Sequence, residues 1–305
     1  MNGVPESPVA LGFTDLRVSP VGVGTNSWGA KGEVDPGKRA TYEALIAAGI
    51  NLFDTAEIYT GGRSEITLGQ CIRDTATQPV VLTKFFPMPW RLRGHALPSC
   101  LRKSLERLRL PRADVYLLHY PLPPVSIETW AAFLADSVAA GLARTVGISN
   151  CTPAQMRRTH AVLAARAVPL ACNEVEYSLF RRAPERTGLL SLCREMGVTL
   201  IAYRPLAQGM LSGKYSIEHP PVGIRSLMYR RKFLAGVPPV LDALRRIGER
   251  HGKSVSQAAI NWIICKGALP IPGAKDPYQA RENAGAMGWR LLPEEVEELD
   301  RMTAE

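Results

Sequence analysis

At 305 residues, with 46% hydrophobic and 21% charged residues, the chain is long enough to bury a full apolar core and has none of the composition of a disordered segment. Its 37 Lys and Arg against 28 Asp and Glu give a formal charge of +9, which invites a phosphate-bearing partner but by itself reads first as a basic surface with no ligand attached. The arginine clusters at Arg91-Leu92-Arg93 and from Arg102 to Arg112 come without an aromatic-rich RNA motif or zinc-finger spacing, so no nucleic-acid partner is expected.

In chain order, Leu11–Phe13 and Leu16–Val18 read as the arms of a small hairpin turning at Thr14-Asp15. Short apolar runs then alternate with amphipathic stretches. The runs predict strands at Pro20–Thr25, Asn51–Asp54, Val80–Lys84, Val115–His119, Thr145–Ser149, Ala171–Val175, Thr199–Tyr203 and Leu269–Pro272. Between and after them, helices are predicted near Gly37–Ala48, Ser64–Asp74, Leu97–Leu108, Ser126–Ala140, Pro153–Ala165, Glu185–Met196, Pro239–Ile264 and Pro277–Ala286. A last helix is predicted at Pro293–Met302, where proline and two acidic residues suit a first helical turn. Strict alternation of this kind predicts an α/β fold, a (β/α)8 TIM barrel with an N-terminal hairpin and an extra C-terminal helix, formed by residues 1–305 as one domain. The least regular stretch, Gln208–Val237, reads either as a lid over a binding site or as a surface excursion.

The six cysteines, Cys71, Cys100, Cys151, Cys172, Cys193 and Cys265, stand singly, with no Cys-x-x-Cys and no histidine at ligand spacing. They read as reduced thiols in a cytoplasmic protein that holds no metal. The first twenty residues lack a signal core or a transit-peptide composition, and no run approaches the ~18 apolar residues of a membrane span.

Active sites of barrels lie at the C-terminal ends of the strands. Asp54, Lys84 and His119 end three consecutive predicted strands, and Tyr59 lies in the loop after Asp54. Singly, each is an ordinary hydrogen-bonding residue; together they read as chemistry. A Lys ammonium near a phenol favours the phenolate and can lower its usual pKa of about 10 by roughly 1–3 units, while Asp54 would hold the Lys in place. Tyr59 then serves as a general acid. A hydrolase using Asp54 with Glu57 or Glu65 would leave Tyr59 and Lys84 without a role.

The dinucleotide fingerprint fails, because Gly22-Val23-Gly24 lacks the third glycine, and no Tyr-x-x-x-Lys occurs. Instead, Gly22-Val23-Gly24-Thr25, the Asn51–Tyr59 run, Gly147-Ile148-Ser149-Asn150, Tyr203–Gly209 with Gly213-Lys214-Tyr215, and Ile271-Pro272-Gly273-Ala274 together resemble the aldo-keto reductase family. The likeness runs from about Leu11 to Met302 and is closest to the plant and bacterial branch that includes pyridoxal reductase. The resemblance implies an NADPH-dependent oxidoreductase that reduces a small aldehyde or ketone, with Tyr59 as proton donor, Lys84 and Asp54 as its tuning pair and His119 orienting the carbonyl. A regulatory or redox-sensing subunit, like the potassium-channel β-subunits, is the alternative on the same barrel.

For NADPH (NADP), the resemblance implies that Ser149, Asn150 and Glu174 meet the carboxamide and that Tyr203 stacks on the ring. It also places Gly24, Thr25, Asp54, Arg204, Pro205 and Leu206 in the cofactor site. Gln208, Gly209, Leu211 and Lys214 fall at the pyrophosphate, and Gly273, Ala274, Lys275, Gln279, Glu282 and Asn283 at the adenosine 2′-phosphate and adenine. Two residues depart from the family pattern, Glu174 in place of Gln and Arg204 in place of Ser. An ionised Glu174 would favour the positive ring of the oxidised cofactor; a Glu174 neutralised by Arg204 from the next strand would not. Trp28, Trp90 and Tyr120, in loops after strands, are candidate walls of the substrate pocket.

Overall fold

The structure, a computed structural model, describes residues 8–30, 36–92, 96–215, 219, 234 and 236–304. It opens with an antiparallel hairpin of β1 (Val9–Ala10) and β2 (Arg17–Val18), Val9 level with Val18. The first arm lies two residues earlier than the sequence predicts, because Gly12 adopts a left-handed φ of 59° and ends the extended run. A Cβ there would come within 2.5 Å of the Ala171 carbonyl oxygen, so the hairpin sits directly against the barrel.

Eight parallel strands follow: β3 (Val23–Gly24), β4 (Leu52–Asp54), β5 (Val80–Phe85), β6 (Ala113–Leu118), β7 (Ala143–Ser149), β8 (Leu170–Glu176), β9 (Thr199–Tyr203) and β10 (Leu269–Ile271). Each pairs with its neighbours in sequence. The barrel closes between β3 and β10, where Gly22 N–H donates to the Pro270 carbonyl at 2.9 Å and Gly24 N–H to that of Pro272 at 3.2 Å. Strands buried on both faces require continuous apolar runs, as Val115–Leu118 illustrates.

The helices form the outer layer: α1 (Pro36–Ala47), α2 (Arg63–Thr75), α3 (Ala96–Leu108), α4 (Ile127–Ala139), α5 (Pro153–Ala164), α6 (Ala183–Arg186), α7 (Leu189–Glu195), α8 (Val237–His251), α9 (Val255–Cys265), α10 (Pro277–Ala284) and α11 (Pro293–Met302). The predicted helix Glu185–Met196 is two, parted at Thr187-Gly188. Pro239–Ile264 is also two, because Gly252 stops α8 in the left-handed conformation and Ser254 starts α9 through a reciprocal capping box with Gln257. Most of the irregular stretch Gln208–Val237 lies outside the described residues; at its start, Ala207–Ser212 forms a 3₁₀ turn. No helix among the described residues is long and apolar enough to cross a membrane.

Phe85, Leu101, Trp130, Leu134, Ile148 and Trp262 lie buried between sheet and helices. The barrel interior holds a separate cluster in which Leu11, Leu16 and Val18 of the hairpin meet Leu52, Val115, Leu117 and Ile201. The hairpin therefore plugs the N-terminal end of the barrel. Any ligand must enter at the opposite end, where the strands deliver their last residues.

Candidate active site

That end is polar at its centre. Asp54 closes β4, Lys84 lies one residue before the end of β5, and parallel register sets Asp54 level with Leu82 and Lys84 level with Leu117. Both side chains turn inward, as does Glu174 from β8, and all three are buried. The Lys84 ammonium donates to Asp54 Oδ1, to the Thr55 carbonyl at 3.1 Å and to the Tyr59 hydroxyl at 3.3 Å. It also lies 3.4 Å from Glu174 Oε2.

Tyr59 is held by a tight turn, Tyr59–Gly62, that leads into α2, with Thr60 at a left-handed φ of 49°. The Thr60 hydroxyl donates to the Trp28 carbonyl at 2.8 Å, and the fully buried Trp28 indole donates to the Ala274 carbonyl at 2.9 Å. Trp28 thus braces the Tyr59 turn from behind. His119 follows β6, its N–H bonded to the Phe85 carbonyl at 2.9 Å. Its ring meets Tyr59 edge-on at 5.7 Å and stacks on Tyr120 at 5.4 Å.

Burial governs the protonation states. It pushes the Tyr59 phenol above its ordinary value, and Lys84 only partly offsets this. The expected net lowering is therefore absent; the phenol keeps its proton, and because Lys84 donates to its oxygen, the O–H is available to a third partner. Burial alone would lower the Lys84 ammonium, but Asp54 and Glu174 outweigh it and keep Lys84 charged. Burial, aided by the Lys84 charge, pushes His119 down to about 3, so its imidazole is neutral. Asp54 and Glu174 are both raised by burial, Glu174 to about 8 with Asp54 pushing the same way. Asp54 holds the direct bond to Lys84, so the proton belongs to Glu174.

This has a consequence for stability. A carboxyl that holds its proton more tightly folded than unfolded contributes fully below its unfolded pKa of 4.5, and the contribution is lost as pH rises through about 8. His119 acts oppositely and only below its ordinary value of 6.5. Between about pH 6.5 and about pH 8.5 the unfolding free energy is therefore expected to fall by about 2 kcal/mol, and by much less in Glu174→Gln. Urea midpoints across that range check it; an equal decline in both proteins contradicts a protonated Glu174.

Above the cluster opens a cavity of about 840 Å³. Asp54, Tyr59, His119, Tyr120 and Glu174 line it, together with Gly24, Ser149, Asn150 and Tyr203. The Tyr203 hydroxyl donates to Asn150 Oδ1 at 2.9 Å, and the Ser149 hydroxyl to the Glu174 carbonyl at 2.9 Å. The segment after β9 adds Arg204, Pro205, Leu206, Gln208, Gly209 and Lys214. The segment after β10 adds Gly273, which bridges to Gly24, with Lys275, Gln279, Glu282 and Asn283.

Several sequence candidates stand apart from that lining. Thr25 is buried against Ser64 and the Asp54 carbonyl, Leu211 and Ala274 are core residues, and Lys84 lies behind Asp54 and Tyr59. Of the substrate candidates only Tyr120 faces the cavity. Trp28 is core, and Trp90 is 78% exposed outside it. Arg204 does not neutralise Glu174, because register sets Glu176 level with Tyr203 and the Arg204 guanidinium pairs with Glu176 at 3.5 Å.

Sequence reasoning missed Asn26, Ser212, Tyr215, Tyr278 and the start of α9, Ser254 to Ser256, all of which line the cavity. The Ser254-x-x-Gln257 box was the available signal, since it marks a helix N-terminus and such ends attract anions. The residues present fit a dinucleotide cofactor: Arg204, Lys214 and Lys275 supply positive charge along its length, and Tyr203 with the polar groups of Ser149, Asn150 and Glu174 supplies a ring site.

A closed parallel barrel with a buried Lys and Asp, a half-buried Tyr and a neutral His at its mouth, beside a cavity that fits a dinucleotide, has the arrangement of an oxidoreductase without a Rossmann domain. The model of the Aldo/keto reductase family matches residues 20–304. The chain is 39% identical to a chloroplastic pyridoxal reductase of Arabidopsis thaliana, over 93% of this chain and 83% of the relative. In structure it is similar to a glycerol dehydrogenase from Gluconobacter oxydans, with a TM-score of 0.88, 26% identity and coverage of 98% of this chain and 95% of that one. It is also similar to an aldo/keto reductase from Klebsiella pneumoniae in complex with NADP and acetate, with a TM-score of 0.80, 26% identity and coverage of 98% and 96%. The chain belongs to the aldo/keto reductase family.

Proposed function

We propose that the protein reduces small aldehydes or ketones to alcohols with NADPH and that Tyr59 is the general acid. The observation that carries this reading is the Tyr59 hydroxyl, which accepts from Lys84 at 3.3 Å and faces the cavity that Tyr203, Arg204 and Lys275 line. The reduced nicotinamide, when bound, supplies hydride to the carbonyl carbon. Tyr59 gives its proton to the carbonyl oxygen, and Lys84 stabilises the phenolate left behind. Asp54 keeps Lys84 charged and aimed, and the neutral His119 offers an N–H to the same oxygen. Ser149, Asn150 and Glu174 hold the carboxamide and Tyr203 supports the ring. In this reading Arg204, Lys214 and Lys275 bind the phosphates, Lys275 taking the 2′-phosphate that distinguishes NADPH from NADH.

Pyridoxal is the first aldehyde to test, given the relative that carries its name. Fluorescence titration is expected to show tighter binding of NADPH than of NADH, and stopped-flow mixing with an aldehyde panel is expected to show repeated turnover. Failure to bind either cofactor overturns the reading. A slow single oxidation of bound NADPH by every aldehyde would instead indicate a redox sensor.

A further inference from the structure

Glu174 is a second buried carboxyl beside the Asp54–Lys84 pair, and its surroundings give it a chemical meaning. Its Oε2 lies 3.4 Å from Lys84 Nζ and has no hydrogen-bond partner among the described residues. The side chains of Asp54 and Glu174 are each 3% exposed and that of Lys84 is 0% exposed. Two carboxyls thus share one ammonium in a space nearly free of water. Two ionised carboxylates beside one cation would leave an uncompensated buried charge, so one of them holds a proton.

We infer that Glu174 is a positioning residue for the redox state of the cofactor: protonated, it bonds to Asp54 and leaves the ring site neutral, and ionised, it favours the oxidised, positively charged ring. The inference rests on the proposed nicotinamide site. Every element around Glu174 is consistent with it. Asp54 faces it from β4, Lys84 from β5 and Tyr59 from the turn after β4, while its own strand adds Cys172. From β7, Ser149 is engaged with the Glu174 backbone carbonyl, and the β9 residue level with Glu174 is Ile201. Arg204, which follows β9, is turned to Glu176. Burial, together with Asp54, raises Glu174 to about 8, so its proton is lost within the range in which the enzyme can be handled.

The ring site therefore gains a negative charge as the medium turns mildly alkaline. Reduced cofactor is favoured on the acid side and oxidised cofactor on the alkaline side, so pH biases the direction in which the carbonyl and alcohol interconvert. Glu174→Gln keeps the shape and polar contacts of the side chain and removes its ionisation.

The test measures dissociation constants for NADP⁺ and NADPH by fluorescence from about pH 6.5 to about pH 9 in both proteins. In the unaltered protein the NADP⁺-to-NADPH ratio of dissociation constants is expected to fall about tenfold over that range, and in Glu174→Gln to stay within about twofold. A flat ratio in the unaltered protein, or an equal fall in both, overturns the inference. A second measurement needs no cofactor: the infrared spectrum of the unliganded protein at about pH 6.5 is expected to show a protonated-carboxyl band that is lost on alkaline titration and absent from Glu174→Gln. Lack of that band in the unaltered protein, or its persistence in Glu174→Gln, overturns the inference whether or not NADPH binds.

Discussion

Tyr59→Phe is expected to bind NADPH within about twofold of the unaltered protein while its turnover of aldehydes falls on the order of 10²-fold or more. The substitution removes one oxygen and keeps the ring that meets His119 at 5.7 Å, so the turn and the fold survive. What is lost is the only hydroxyl that both accepts from Lys84 and faces the cavity among the described residues. His119 is a poor substitute as proton donor, because its imidazole is held neutral by burial and by the Lys84 charge. Rates measured as kcat at saturating substrate separate this from a binding defect. Retention of full activity would sink the assignment of Tyr59 as the acid.

Lys84→Met is expected to cost both activity and stability. Removing a fully buried ammonium strands Asp54 and Glu174 side by side, and breaking a buried pair in this way costs about 3–5 kcal/mol. Methionine fills much of the volume, so the loss is electrostatic more than steric. The deficit is expected to shrink as pH is lowered, because the stranded carboxyls, both already raised by burial, take up protons. Urea unfolding at several pH values checks this, and a deficit independent of pH would point to packing instead. Turnover is expected to fall with Tyr59→Phe, on the order of 10²-fold, since the phenolate loses its partner cation.

The parts legible in the sequence were those fixed by periodicity and by the polarity of strand ends. Asp54, Lys84 and His119 could be placed on one rim because a parallel barrel puts the ends of consecutive strands side by side. The sequence pattern runs through the split of the predicted Pro239–Ile264 helix at Gly252 because helix-favouring residues flank the stop on both sides, amphipathic in α8 and buried from Ala258 to Ile264 in α9. Side-chain direction from loops was not legible. Trp28 and Trp90 occupy comparable positions after strands, yet one is locked in the core by its bond to Ala274 and the other projects into solvent. The partner of Arg204 was equally hidden, since it depends on the register between β8 and β9. The net direction of the Tyr59 shift was also beyond reach, because it depends on how deeply the turn is buried, which no local sequence signal measures.

The seam between β3 and β10 is also a wall of the cavity, for Gly24, Ile271, Pro272 and Gly273 serve both. These are among the contacts most distant along the chain, and contacts of that kind are late and slow to form. A growing polypeptide already carries Tyr59, Lys84 and Glu174 before β10 exists, yet has no groove in which to receive a dinucleotide. Occupancy therefore certifies a finished barrel, and a ligand that binds only there draws the folding equilibrium toward closure of the seam.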